Sequence, residues 1–398
     1  MTKNTKGTQL AEQDGTEDSV RRARRGFLGL TLVSGVLSAA PALAQFRTPP
    51  PNDSGKVTPE KATSVSGMSG KITSPRKSPE KTATDDDALE GTAESESSSK
   101  PANHDGQVGK GPKYGPLRAA QRWRFGVTMK AKSTPVQAMR GYIPVPKGWT
   151  EQVVSGEQED VSSDIRLTYQ EISGVRVMVV QFVPLRSGQE AKAMLTCEVK
   201  TQPILPPEDP EVYRIPVKIP AELRIWTRVT PQITMPPKVK TITKEAGYVK
   251  TGTTWDELRK IYDFLVKEYP FEKGCGLEDT ASVLRGKKGN AFGVHGLFVA
   301  ACRSLGVPAR VVWMLPARCY AEFYLEDGVG NGFWFPADLS VRGQFGRMDT
   351  PGIIYQRGDS FQPPWDRSKP VYMLRESIQG STTGERPECR YTREPAAI

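Results

Sequence analysis

Histidine is nearly missing from this chain: 398 residues contain two, His104 and His295. Cysteine is also sparse, with five residues (Cys197, Cys275, Cys302, Cys319 and Cys389) and no Cys-x-x-Cys pair among them. Without those spacings a zinc site has no donors to start from, and no metal or other cofactor is expected. An odd cysteine count leaves at least one thiol unpaired or joined to another chain. Long apolar runs are scarce as well. Phe27 to Ala40 is the one candidate, but Gly29, Ser34, Gly35 and Ser38 interrupt it, and it is too short and weak for a spanning helix. A 37% hydrophobic and 8% aromatic composition leaves material for two modest globular domains plus a segment without a core.

That apolar run belongs to an export signal. Arg24-Arg25-Gly26-Phe27-Leu28 resembles the twin-arginine pattern, and Ala42-Leu43-Ala44 offers small residues for cleavage. Residues 1–44 therefore read as a signal peptide, and the mature chain, starting at Gln45, is expected in the periplasm or cell envelope. Left uncleaved, the same run would be a membrane anchor. Formal charge is +10, and residues 1–44 hold +2 of it, with six basic against four acidic side chains. The remaining excess suits an anionic polymer or membrane surface, although scattered basic residues equally describe a solvated face. No nucleic-acid partner is expected.

Residues 45–116 are dominated by Pro, Ser, Thr, Lys, Glu and Gly, with runs such as Asp85-Asp86-Asp87. Too little apolar surface is available there to offset chain entropy, so a disordered linker is expected, and His104 in it has no ligand partner nearby. Residues 117–206 read as a small antiparallel β-sandwich. Arg122–Thr128 and Ile165–Tyr169 alternate, Val175–Val183 and Ala193–Val199 are β-rich, and Pro146-Lys147-Gly148, Ser155-Gly156 and Ser187-Gly188 supply turns. The proline-dotted stretch 207–247 is expected to be an extended connector.

From residue 248 the period changes to that of helices. Thr253, Thr254, Asp256 and Glu257 form a capping box, followed by a stripe of Leu258, Ile261, Tyr262, Leu265, Val266 and Tyr269, with Pro270 as the stop. Leu277–Leu284 is expected to be a second short helix. Next comes the most informative stretch, Lys288 to Arg310. Val294, Leu297, Phe298, Ala301, Cys302 and Leu305 fall on one helical face, Asn290 is a candidate N-cap, and Gly306 with Pro308 marks a sharp end.

Leu297-Phe298, Ala300, Cys302-Arg303, Leu305-Gly306 and Pro308-Ala309-Arg310 resemble the core helix of the transglutaminase-like superfamily. Arg318-Cys-Tyr-Ala-Glu-Phe-Tyr324 resembles the strand that opens with that family's catalytic histidine. Phe333-Trp-Phe-Pro-Ala-Asp-Leu-Ser340 resembles the strand that ends at its aspartate. The resemblance spans Thr254 to Trp365. It implies an α+β fold: a papain-like transglutaminase core of helices packed on an antiparallel sheet over residues 248–380, preceded by the sandwich, with 381–398 as a tail. Gln362-Pro-Pro-Trp365 and that tail are expected to add a closing strand and then fray. It also implies a Cys-His-Asp site at positions 291, 318 and 338.

Two of those three positions are changed. Ala291 has no nucleophilic atom, and Arg318 keeps its proton near neutral pH and cannot serve as a general base. Asp338 is present, and it is either ion-paired with Arg318 or satisfying a turn. An arginine beside helix-end amides would also suit an anion. His295, one turn beyond Ala291, reads as a packing residue with a catalytic role as the alternative. Cys275, between two glycines, reads as a structural or disulfide thiol, with a displaced nucleophile as the alternative. Cys302 and Cys319 are expected in the core, Cys319 on the strand face opposite Arg318, while Arg310, Trp313, Glu322 and Trp334 read as scaffold. The expected function is a non-catalytic, exported transglutaminase-like protein that binds a peptide, a protein or a cell-envelope polymer, or serves as a scaffold. The enzyme alternative is a cysteine-dependent acyltransferase, amidase or protease with a displaced nucleophile.

Overall fold

The structure is a computed structural model that describes residues 108–250, 252–274 and 276–397. The export signal, the linker up to residue 107, His104 and Cys275 lie outside the described residues. Residues 108–116, expected to belong to the disordered linker, are instead tied to the fold: Lys113–Tyr114 pairs with Ile204–Leu205, and the Gly109 amide donates to Asp327. The chain begins with β1 (Lys113–Tyr114), β2 (Gln121–Lys130), β3 (Met139–Pro144), β4 (Gln152–Val161), β5 (Ile165–Ile172), β6 (Val175–Phe182), β7 (Glu190–Thr201) and β8 (Ile204–Leu205). Helices α1 (Pro237–Glu245), α2 (Thr254–Glu268), α3 (Thr280–Gly286) and α4 (Ala291–Ser304) follow. The last strands are β9 (Ala309–Leu315), β10 (Arg318–Glu326), β11 (Gly332–Ala337), β12 (Ile353–Arg357), β13 (Ser377–Gln379) and β14 (Glu388–Pro395).

Two four-stranded antiparallel sheets, ordered β13-β3-β6-β5 and β14-β2-β7-β4, form the sandwich. Alternate residues point inward, as strand geometry requires, so Phe125, Val127 and Met129 of β2 meet Met178, Val180 and Phe182 of β6 in one core. A third antiparallel sheet, β11-β10-β9-β12, carries the helices. On β10 the odd residues Cys319, Ala321, Phe323 and Leu325 share a core with Leu297, Phe298 and Ala301 of α4. The α+β class therefore holds.

Local signals explain the helix ends. The Thr253 side chain accepts from the Asp256 amide, and the Asn290 side chain accepts from the Gly293 amide at 3.0 Å. Gly306 takes φ +82° beyond α4, a left-handed turn that a side chain would strain. Expected as a one-faced amphipathic helix, α4 is instead buried from Phe292 through Arg303. The other three helices and the sheet enclose it, and Gly293, Gly296 and three alanines let them approach.

Three further expectations need correction. The stretch 207–247 is not simply extended: it holds two 3-10 segments, Pro210–Val212 and Ala221–Thr227, and then α1. Pro237 sits in the first turn of α1, where its missing amide costs nothing, and Val239 and Ile242 bury one face. The short helix expected over Leu277–Leu284 runs instead from Thr280 to Gly286, because Asp279 caps it by accepting from the Ser282 amide at 2.7 Å. The tail 381–398, expected to add a closing strand and then fray, does not fray: Glu388–Pro395 pairs with β2 along its length and completes a sandwich sheet. Strand β4 carries no alternating signal, because its sequence is mostly polar and exposed, with a bulge between Ser155 and Gln158.

Phe298 is fully buried between Tyr262 and Phe323, so it tests how α4 is seated. Phe298→Ala is expected to lower unfolding free energy by about 3–5 kcal/mol in a urea titration. A loss below about 1 kcal/mol would mean that this packing does not set stability.

Candidate functional site

The residues matching the family triad lie where α4, β10 and the end of β11 converge. Ala291 opens α4 and is partly exposed, with a methyl group as its whole side chain. Arg318 opens β10 with a side chain 41% exposed, and one guanidinium nitrogen lies 3.3 Å from Asp338 Oδ2. Asp338 follows β11 directly and is buried.

Asp338 is the centre of this arrangement. Its Oδ1 lies 3.1 Å from His295 Nε2 and accepts from Ser340 N at 2.9 Å and Ser340 Oγ at 2.5 Å. Burial alone would raise this carboxyl, but the hydrogen bond and charge of His295 and the Ser340 donors outweigh it and hold it down at about 2. The loop behind it is pinned by Tyr262 of α2, whose hydroxyl lies within hydrogen-bond distance of Asp338 O and Val341 O and accepts from the Gln344 amide.

His295 is fully buried, one helical turn after Ala291. Its Nδ1 is 2.5 Å from Ala291 O and 3.9 Å from Cys319 Sγ. A carbonyl oxygen only accepts, so Nδ1 carries a proton in both the charged and the neutral ring. Nε2 faces Asp338 Oδ1 and also the Leu339 amide at 2.9 Å. The charged ring donates there to the carboxylate, and the neutral ring accepts from the amide. Burial pulls the imidazole down, yet the hydrogen bonds to Asp338 and Cys319 prevail and raise it to about 10. The upward direction favours an imidazolium–carboxylate pair with Asp338.

Cys, His and Asp thus meet after all, with the sulfur on the strand and the imidazole on the helix. The strand alternation expected for Cys319 explains how: its side chain faces α4, while Arg318 reaches Asp338 from the strand start. Nδ1 toward sulfur and Nε2 toward carboxylate is the order a cysteine nucleophile uses. Access is what the arrangement lacks. Cys319 is 3% exposed and His295 0%. Phe292 stacks on Trp313, the β9 partner of Cys319, with ring centroids 5.1 Å apart, and Tyr372 packs against both. As closed, this trio binds α4 to the sheet and presents no atom to a substrate.

Helix-end amides do not stand open either: the carboxylate of Glu278 accepts from Asn290 N at 2.5 Å, so an anion of the chain itself sits at the start of α4. Arg310, Glu322 and Trp334 form a scaffold stack, with Arg310 Nε 2.8 Å from Glu322 and its guanidinium 3.8 Å from the Trp334 ring centre. Cys197, Cys302, Cys319 and Cys389 are free thiols, and among the described residues no cluster of ligands could hold a metal. Sequence reasoning missed Ser340, Leu339, Tyr262 and Glu278, and it missed the approach of Cys319 to His295. Only the Asp338-x-Ser340 spacing, typical of an Asp-initiated turn, was a usable signal.

The sequence profile of the transglutaminase-like superfamily matches residues 240–339. Among curated proteins no match is found. Similar solved structures include a candidate cysteine protease from Cytophaga hutchinsonii, at 15% identity over 72% of this chain and 94% of that one, TM-score 0.44. Another is the periplasmic domain of TgpA from Pseudomonas aeruginosa, solved with ethylmercury bound, at 13% identity over 56% of this chain and 90% of that one, TM-score 0.26.

His295 gains its proton affinity on folding, so its contribution to stability is complete below the unfolded value near 6.5 and is lost as pH rises toward about 10. Asp338 acts in the opposite direction: its contribution holds above about 3.8 and fades as pH falls toward about 2. His295→Gln is therefore expected to cost about 3–5 kcal/mol at pH 6 and clearly less at pH 10. A gap between wild type and variant that stays constant across that range in chemical denaturation would defeat the ion pair.

Proposed function

Taking residues 240–339 as a domain of the transglutaminase-like superfamily, we propose that this protein is an exported, non-catalytic member that binds a peptide or cell-envelope component at the former cleft. The observation that carries this reading is Ala291 at the start of α4, where a thiolate would be stabilised, with Arg318 in place of a base. Export rests on the twin-arginine-like segment and the small residues before Gln45. The half-exposed guanidinium, held at one edge by Asp338, leaves its other donors for a carboxylate or carbonyl of the guest.

A second reading is favoured by one observation, the 3.9 Å approach of Cys319 to His295 with Asp338 behind. In that reading Cys319 attacks an amide carbonyl once Tyr372 and Phe292 move aside. As it attacks, the Nδ1 proton of His295 goes to the leaving amine and the thiol proton replaces it on Nδ1, and water then releases the acyl group from sulfur.

Purified protein is expected to show no amine incorporation and no amide hydrolysis, and to bind peptides from envelope digests with affinity reduced roughly tenfold by Arg318→Ala. Turnover abolished by Cys319→Ala, together with an acyl adduct mapped to that residue, would replace the first reading by the second. Turnover that survives loss of Cys275, Cys302 and Cys319 together would overturn both.

A further inference from the structure

The outer face of one sandwich sheet carries a row of side chains that the cleft does not explain. Register across β13, β3, β6 and β5 sets Gln379 opposite Arg140, Arg140 opposite Gln181, and Gln181 opposite Arg166. Directly paired residues project from the same face, so these four form one line across the sheet. Arg140, Gln181 and Arg166 are exposed. Neither arginine has a carboxylate partner among the described residues, although most arginines around the cleft do. The nearest acidic side chain along β5, Asp164, accepts instead from Gln189 Nε2 at 2.9 Å.

The row borders a hollow of about 310 Å³ that the exposed Ala138, Val183 and Pro184 also line. The other end of this sheet face is occupied: Phe361, Leu374 and Trp365 cover Tyr142, Val177 and Val179. Two guanidiniums without a salt-bridge partner among the described residues thus remain open beside an apolar hollow where the C-terminal segment stops.

We propose that this row is a binding site for an extended acidic peptide. Strands lie about 4.8 Å apart, so Arg140 and Arg166 originate roughly 10 Å from each other. That matches carboxylates three residues apart on an extended peptide of polyproline-II type, where every third side chain shares a face at about 3.1 Å rise per residue. Each guanidinium presents a planar fork to one carboxylate. Between and beside them the Gln181 and Gln379 carboxamides offer both a donor and an acceptor, which peptide amides satisfy. Phosphate polymers and anionic lipid headgroups supply acceptors for the arginines but no donors for the glutamine oxygens, and so fit the row less well. The hollow lined by the exposed Ala138, Val183 and Pro184 accommodates an apolar side chain of the peptide. This site is independent of the cleft and of whatever chemistry occurs there.

The test uses the full chain and fluorescent poly-L-glutamate, read by anisotropy at two salt concentrations. Binding that weakens with salt, and at least about tenfold further in the Arg140→Gln/Arg166→Gln double variant, is the expected result. Replacing both arginines by lysine keeps the charge and is expected to recover part of the affinity, whereas Arg390→Gln on the other sheet is expected to leave it unchanged. Both arginines are exposed, so a thermal midpoint equal to wild type shows that the double variant is folded; Arg166→Gln alone serves if it is not. Affinity for poly-L-glutamate that is indifferent to the double substitution would overturn the proposal. So would tighter binding to polyphosphate, or to vesicles of anionic lipid at equal charge.

Discussion

Around Asp338 the structure is arranged to keep one carboxylate charged where little water reaches it. His295 meets it from α4, Arg318 from β10, and two Ser340 donors from the turn it initiates. Moving a carboxylate out of water costs several kcal/mol unless opposite charge and hydrogen bonds replace the lost hydration. The replacement comes from three separate elements, so each of them is fixed in place by the need to supply it. Tyr262 extends the constraint to α2 by bonding the backbone of the same turn.

A second buried pair repeats the device at the far end of α4. Arg303 contacts Asp359 through two nitrogens, at 2.6 and 3.1 Å, and also donates to Ala309 O and Arg228 O. Between these two ionic anchors the helix is apolar on every side. Hydrophobic burial supplies most of the stabilising free energy in such a core, but it is non-directional and tolerates sliding. The ion pairs are directional, and they fix how far α4 is inserted. That depth decides the chemistry, because it carries the His295 ring beneath the surface and brings it to the sulfur of Cys319.

The sandwich and the helical domain are also joined in ways a linear division of the chain conceals. Strands β13 and β14 return from the C-terminal side to complete both sandwich sheets. Leu315, Ile353 and Tyr355 from the third sheet enter the sandwich core. Near the start of the described chain, Asp327 accepts from the Gly109 amide at 2.8 Å and Tyr213 receives the Gly111 amide at the same distance. A Cβ at Gly109 would come within 2.7 Å of the Tyr213 ring, so glycine is what permits that approach.

The sequence by itself determined the α+β class, the α2 and α4 boundaries and the changed residues at positions 291 and 318. Those properties are local: a capping oxygen, a glycine free to turn left-handed, a methyl group where a sulfur is needed. It left the bounds and the partner sheet of the closing strand β14 open and α1 within a presumed connector, since an exposed edge strand and a nine-residue helix draw their stability from partners far away in sequence. The meeting of Cys319 with His295 was decided by tertiary structure alone. The two residues are 24 positions apart on a strand and a helix, and only the packing of α4 against β10 brings their side chains together. Burial of that pair has the same origin, because Cys319 lies in the core that α4 and β10 share and His295 is enclosed with it.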